Sequence, residues 1–285
     1  MPRPRLPYPP CPATPPPVPP GPPPAGGAEP RGASARRTAA TAACLVLGIG
    51  LIVGAVAGSW LTGTSGRQSA AERAFEHGRA LWHTVPVDSL FPRRLHADFA
   101  GPGGAARDWT RLGVAPESDC AGAFDSLLAK ALAPVGCERL LRATYADATA
   151  TRVTTVGLLV TATDRTGMRA LRKRFSDERL DGRADLMPRP YAPGGTAAGH
   201  FGDAQRASWR ISVLTDLPAV VYTVSGFADA RTGTPPQPAA EAVAPGATTA
   251  PAQSGLGHDA MALADLVERE LHQAARGGAG KGGRK

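Results

Sequence analysis

The spacing of apolar and polar positions changes several times along this 285-residue chain, and each change marks an element. From Ala39 to Leu61 no charged residue interrupts an apolar run. Wound as a helix rising 1.5 Å per residue, it would reach roughly 34 Å, enough for a hydrocarbon core of about 30 Å. The pattern therefore predicts one transmembrane helix over 39–61. Gly54 and Gly58 lie four apart within it, a spacing that lets two helices approach closely and so offers a route to a homodimer. Ala55-Val56-Ala57 offers a small-x-small cleavage site. A cleaved signal peptide, however, has a shorter basic region and a shorter apolar run than those here, so a retained anchor is expected.

Beyond the run, Phe75, Leu81 and Trp82 fall among charged residues over 66–84, the pattern of a short amphipathic helix leaving the membrane. Residues 85–118 are rich in Pro and Gly, so 62–118 reads as stalk and linker. From Cys120 the spacing tightens. Phe124, Leu127, Leu128, Ala131 and Leu132 recur at helical intervals until Pro134 and Gly136 stop them. Two strands follow, 139–146 and 152–162, turning at Asp147-Ala148-Thr149. Met168, Leu171 and Phe175 share one helical face, opposite Arg169, Arg172, Lys173 and Arg174. A second strand pair, 207–214 and 219–227, turns at Asp216-Leu217-Pro218. A last helix over 258–275 buries Leu263, Leu266, Val267 and Leu271. The fold class expected is α+β: an antiparallel sheet of about four strands with helices packed on one face, within a domain over 119–275. Residues 231–255 read as a low-complexity loop inside it and 276–285 as a disordered basic tail.

Composition changes this picture mainly at the ends. Fifteen of the 29 prolines lie in the first 30 residues, so 1–38 is expected to be a disordered, proline-rich tail, extended like polyproline II and a possible ligand for aromatic grooves. The net charge of +8 belongs to the two tails, four units to 1–38 and four to the last ten residues. The remainder is neutral overall, which argues against nucleic acid as a partner. Arg36 and Arg37 precede the apolar run, and the positive-inside rule places the N-terminus in the cytoplasm and the C-terminal domain outside it.

An oxidising location gives meaning to Cys120 and Cys137, which no third cysteine of the outer domain contests, and a disulfide between them is expected. Catalytic motifs, metal-ligand spacings and cofactor fingerprints are missing from the sequence, so no catalytic residue, cofactor or metal ligand is assigned. The long loop 176–206 is the one candidate for a ligand site. Arg189, Tyr191, His200 and Phe201 flank its flexible centre, either as a lid over a cleft or as a surface loop with two apolar anchors.

The stretches WTRLGVAPESDC (109–120), GCERLLRATYAD (136–147) and FGDAQRASW (201–209), with the tail and the span before them, resemble actinobacterial single-pass membrane proteins of unknown function with an extracytoplasmic α+β domain. That resemblance implies architecture and no activity. The function expected is a non-enzymatic ligand- or protein-binding domain outside the cell, an accessory of the envelope or of secretion. Two alternatives stand beside it: a tethered sensor signalling through the span to a partner of the proline-rich tail, and an uncharacterised enzyme with its site under loop 176–206.

Overall fold

A computed structural model of the chain describes residues 71–116 and 120–281, with side chains as far as Arg276. The chain divides into two compact units, and the described residues lie in the second, Thr62–Lys285. Three short helices come first: α1 through 71–79, α2 (Leu81–Thr84) and α3 (Val87–Leu90). A hairpin of β1 (Arg94–Ala97) and β2 (Arg107–Val114) follows, then α4 (Ser126–Leu132). The centre is β3 (Arg139–Asp147) and β4 (Arg152–Val160), then α5 (Arg165–Asp177). After the loop come β5 (Ser208–Val213), β6 (Ala219–Phe227), the two-residue β7 (Gln237–Pro238), α6 (Ala239–Ala242), α7 (Ala250–Gln253) and the long α8 (Leu256–Lys281).

The strands form one seven-stranded sheet in the order β1-β2-β3-β4-β6-β5-β7. All neighbours are antiparallel except β5 and β7, which run parallel. Helices cover both faces, because the central strands are apolar on both. On one face Leu140, Leu159, Tyr222 and Val224 meet Phe75 of α1, Leu128 of α4 and Met168, Leu171 and Phe175 of α5. On the other, Leu141, Tyr145, Val156 and Val221 meet Leu81, Leu90 and the Leu263, Val267 and Leu271 stripe of α8. Packing between the strands is close. Gly157 stands opposite Tyr222, and a Cβ there would come within 2.0 Å of the ring.

The expected four-stranded antiparallel sheet with helices on one face is thus replaced by a mixed seven-stranded sheet between two helical layers. Part of the supposed stalk and linker over 62–118 belongs to the domain. Phe75, Leu90, Phe91 and Trp109 are all buried, and β1 and β2 form one edge of the sheet. The Pro and Gly of GPGG mark the turn of that hairpin, where Gly103 takes φ +66°, rather than a spacer. The supposed low-complexity loop 231–255 forms β7, α6 and α7, with Ala239 and Ala242 buried. α4 begins only at Ser126, not at Cys120, and α8 runs through Arg276 to Lys281, the remaining residues of the expected tail lying outside the described ones.

Among the described residues no helix is long and apolar enough to cross a membrane. The run 39–61 expected to do so, with Gly54 and Gly58, lies outside the described residues, as does the proline-rich tail 1–38.

Candidate binding groove

Cys120 and Cys137 form a disulfide, their Cα atoms 6.1 Å apart. It fastens the irregular segment before α4 to the chain two residues ahead of β3, and closes a loop of 17 residues.

The four residues singled out in loop 176–206 do not converge. Phe201 is buried in the sheet core, whereas His200 is exposed. The main chain of Tyr191 is stitched to the sheet: its N–H donates to Thr155 Oγ1 at 3.0 Å, and its carbonyl accepts from Thr144 at 2.5 Å. The Arg142 guanidinium lies 5.7 Å from its ring centre. Arg189 donates to Asp125 at 2.7 Å, and Arg206, at the far end of the loop, donates to the other oxygen of the same carboxylate at 2.7 Å. Burial opposes ionisation of Asp125, but the hydrogen bonds from Arg206 and Arg189 outweigh it and hold the carboxyl below its ordinary value. The loop is a strap clasped to one residue, Asp125, at its middle and at its far end. Arg189 and Arg206 are consumed in holding it down.

A second polar cluster lies between β2, β4 and the start of α8. Asp259, almost wholly buried, accepts from Arg152 Nε at 2.7 Å and from the Trp109 indole N–H at 3.3 Å. Arg152 reaches Asp147 at 2.9 Å. Burial pushes Asp259 up despite the charge of Arg152 and Arg107. Nearby, Arg152, Phe227, Asp229, Arg231 and Ser254 line a cavity of about 580 Å³. Its guanidinium groups are already held, that of Arg231 by Asp229 and by the Phe227 ring at 4.3 Å. No cluster of three or more His, Cys, Asp or Glu suited to a metal ion occurs among the described residues.

The larger depression, about 650 Å³, opens at the β5 edge of the sheet. Its floor is Trp209, Ile211 and Val213, and Phe175 belongs to the wall that the end of α5 makes with the one-turn helix Leu180–Gly182. Arg179 adopts φ +50° after the α5 C-cap and turns the chain into that wall, which the Trp209 indole N–H fastens to β5 through the Asp181 carbonyl at 2.9 Å. The opposite wall is Pro238, Ala239, Ala240 and Glu241, with Met261 of α8 below.

The edge at the floor is open. β7 pairs only with Ser208 and Trp209, so Arg210 to Val213 have a ladder partner on the β6 side alone. Backbone groups of alternate residues point to the same side of a strand. Gln237 N–H donates to the Ala207 carbonyl, and the Arg172 guanidinium donates to the Val213 carbonyl at 2.9 Å, which sets the odd residues facing outward. Ile211 then offers its N–H and carbonyl to the groove, and Val213 its N–H.

Sequence reasoning missed this site because one wall belongs to a segment read as linker. Two signals were present: Thr249 followed by Ala250 and Pro251, and Pro238 before Ala239-Ala240-Glu241-Ala242, both of the kind that starts a helix. Thr249 does cap α7, accepting from Ala252 N–H. Comparison of the chain with known protein families, characterised proteins and solved structures finds no match.

Proposed function

We propose that this domain is a non-enzymatic binding module that takes an extended segment of a partner protein as an added strand on β5. The observation that carries the reading is the open β5 edge at the floor of the depression of about 650 Å³. Unpaired strand edges are templates for pairing, and proteins that do not use them cover or blunt them. Here β7 covers two residues and the chain then turns away into α6, leaving the rest of the edge between two walls. Main-chain bonds at Ile211 and Val213 would supply the pairing, and Phe175 and Ile211 on the α5 face and Met261 on the α8 face would receive alternate side chains. The location that goes with this reading lies outside the cytoplasm, supported by the paired Cys120 and Cys137, since such bonds persist in oxidising compartments.

The test is to pan an unbiased displayed library of unstructured dodecapeptides on the oxidised full-length protein. Enriched peptides should slow amide exchange over 210–213 and lose binding when Ala240→Trp fills the groove. Peptides that protect no amide on β5, or that bind the Trp variant unchanged, would overturn the reading.

A further inference from the structure

The α5 wall carries an imbalance of charge. Of the cations along α5, Lys173 is paired with Asp177 at 2.5 Å and Arg174 with Glu178 at 3.0 Å, each one turn on along the helix. Arg172 and Arg179, the two that line the groove, have no carboxylate partner among the described residues. Arg172 spends one N–H on the Val213 carbonyl and retains the others, and both side chains are exposed. Arg210, the third groove arginine, is already neutralised by Asp265 and Glu268 of α8. Of the cations lining the groove, the two without a carboxylate partner thus both lie on the α5 side, where Asp181 is the one lining acid, while the opposite wall presents Glu241.

Resting on the strand-addition reading above, we infer that the groove selects extended peptides bearing carboxylate side chains at alternate positions, which Arg172 and Arg179 receive. A strand added to β5 sends successive side chains to opposite faces of the sheet. Every second residue therefore faces α5 and its two guanidinium groups, and the intervening residues face Met261 and Ala240. Guanidinium forks suit carboxylates, and such charge-assisted bonds are stronger than neutral ones. The same arrangement deters indiscriminate edge pairing, because a purely apolar strand would leave two arginines beside it without counter-charge.

The probe is an acetylated, amidated seven-residue peptide alternating valine and glutamate, compared with its valine–glutamine counterpart by fluorescence anisotropy on the oxidised full-length protein. The glutamate peptide should bind about five- to tenfold tighter, with the advantage shrinking as salt is raised. In the double variant Arg172→Gln, Arg179→Gln the two peptides should bind alike, while Ala240→Trp should abolish both. Equal binding of the two peptides to the wild type, lost on Ala240→Trp, would overturn the acidic preference and leave the groove reading standing. A glutamate preference that survives in the double variant would place acid recognition elsewhere and also overturn it. Failure of both peptides to bind the wild type would remove the inference and the strand-addition reading together.

Discussion

Asp147 shows how much one side chain organises. Its carboxylate receives the Thr151 N–H at 2.9 Å and the Arg152 N–H at 2.7 Å, ties down Thr149, and pairs with the Arg152 guanidinium, so it closes the β3–β4 turn and anchors the cluster around Asp259. Burial opposes its ionisation, yet the Thr149 hydroxyl, the Arg152 N–H and the Arg152 charge together hold its pKa below the ordinary value. An acid held down in the fold contributes stability above its unfolded pKa, about 3.9, and loses it as the pH falls through the lower folded value. Asp147→Asn is therefore expected to cost about 1–3 kcal/mol at pH 7. That difference should close as the pH is lowered below about 4. Urea unfolding of both proteins at pH 7 and pH 3 checks this, and a gap that stays constant with pH would contradict it. Residue-level chemistry was partly visible in the sequence. The Cys120–Cys137 pairing follows from elimination, and the Asp147 turn from its position between two apolar runs. The sequence left Arg189, Tyr191, His200 and Phe201 open between a lid and a surface loop with apolar anchors, because a loop sequence does not say which of its polar groups the sheet beneath will consume.

At the scale of elements, β3, β4, α5, β5, β6 and α8 were legible in their periodicity to within a few residues. The layering, expected on one face only, was misread, although a signal for two covered faces was there. Val153 to Val160 and Ala219 to Val224 are buried almost without interruption, and an unbroken apolar run, unlike strict alternation, belongs to a strand covered on both faces. The short elements were not legible: β1 has four residues and β7 two, too few for a period to register, and their Pro- and Gly-rich surroundings imitate a linker. One covalent element has a measurable weight. Closing a 17-residue loop contributes about 3 kcal/mol in the chain-entropy model. Replacing both Cys120 and Cys137 by Ser should lower the unfolding free energy by about 2–4 kcal/mol while leaving the sheet intact by circular dichroism. A loss well under 1 kcal/mol would show that the α4 segment is held as firmly by Arg189 and Arg206 on Asp125 as by the sulfur bridge.

For the whole molecule, the domain is larger than periodicity alone suggested. It recruits residues on both sides of the expected core, a hairpin at one sheet edge and the β7 to α7 segment at the other. Those additions give the sheet its two unlike edges. The β1 edge is the outer strand of a hairpin, while the β5 edge is half covered and walled, so the candidate groove exists only because the segment read as linker folds back beside β5. Function was less legible than fold for that reason: the groove joins α5, β5, α6 and α8, and no local window of sequence contains it.

The strand order also bears on how the chain acquires its shape. Reading across the sheet, β1 to β4 follow chain order, each paired with its predecessor, so the strand pairing of this half needs no strand from downstream. The β4–β6 ladder is different: Val160 meets Ala219, and α5 and the whole strap must be looped out before the two strands zip. Loop closure of that span costs more entropy than any hairpin turn, and non-local pairing is slow to form. A chain emerging N-terminus first can therefore settle β1 to β4 as a meander while the groove half is still unmade. In pulsed hydrogen exchange during refolding of the oxidised protein, amides of β3 should gain protection before those of β5. Simultaneous protection would mean that the two halves condense as one. Competence to bind would then be the last property the molecule acquires, arriving only when β6 docks and brings β5 with it.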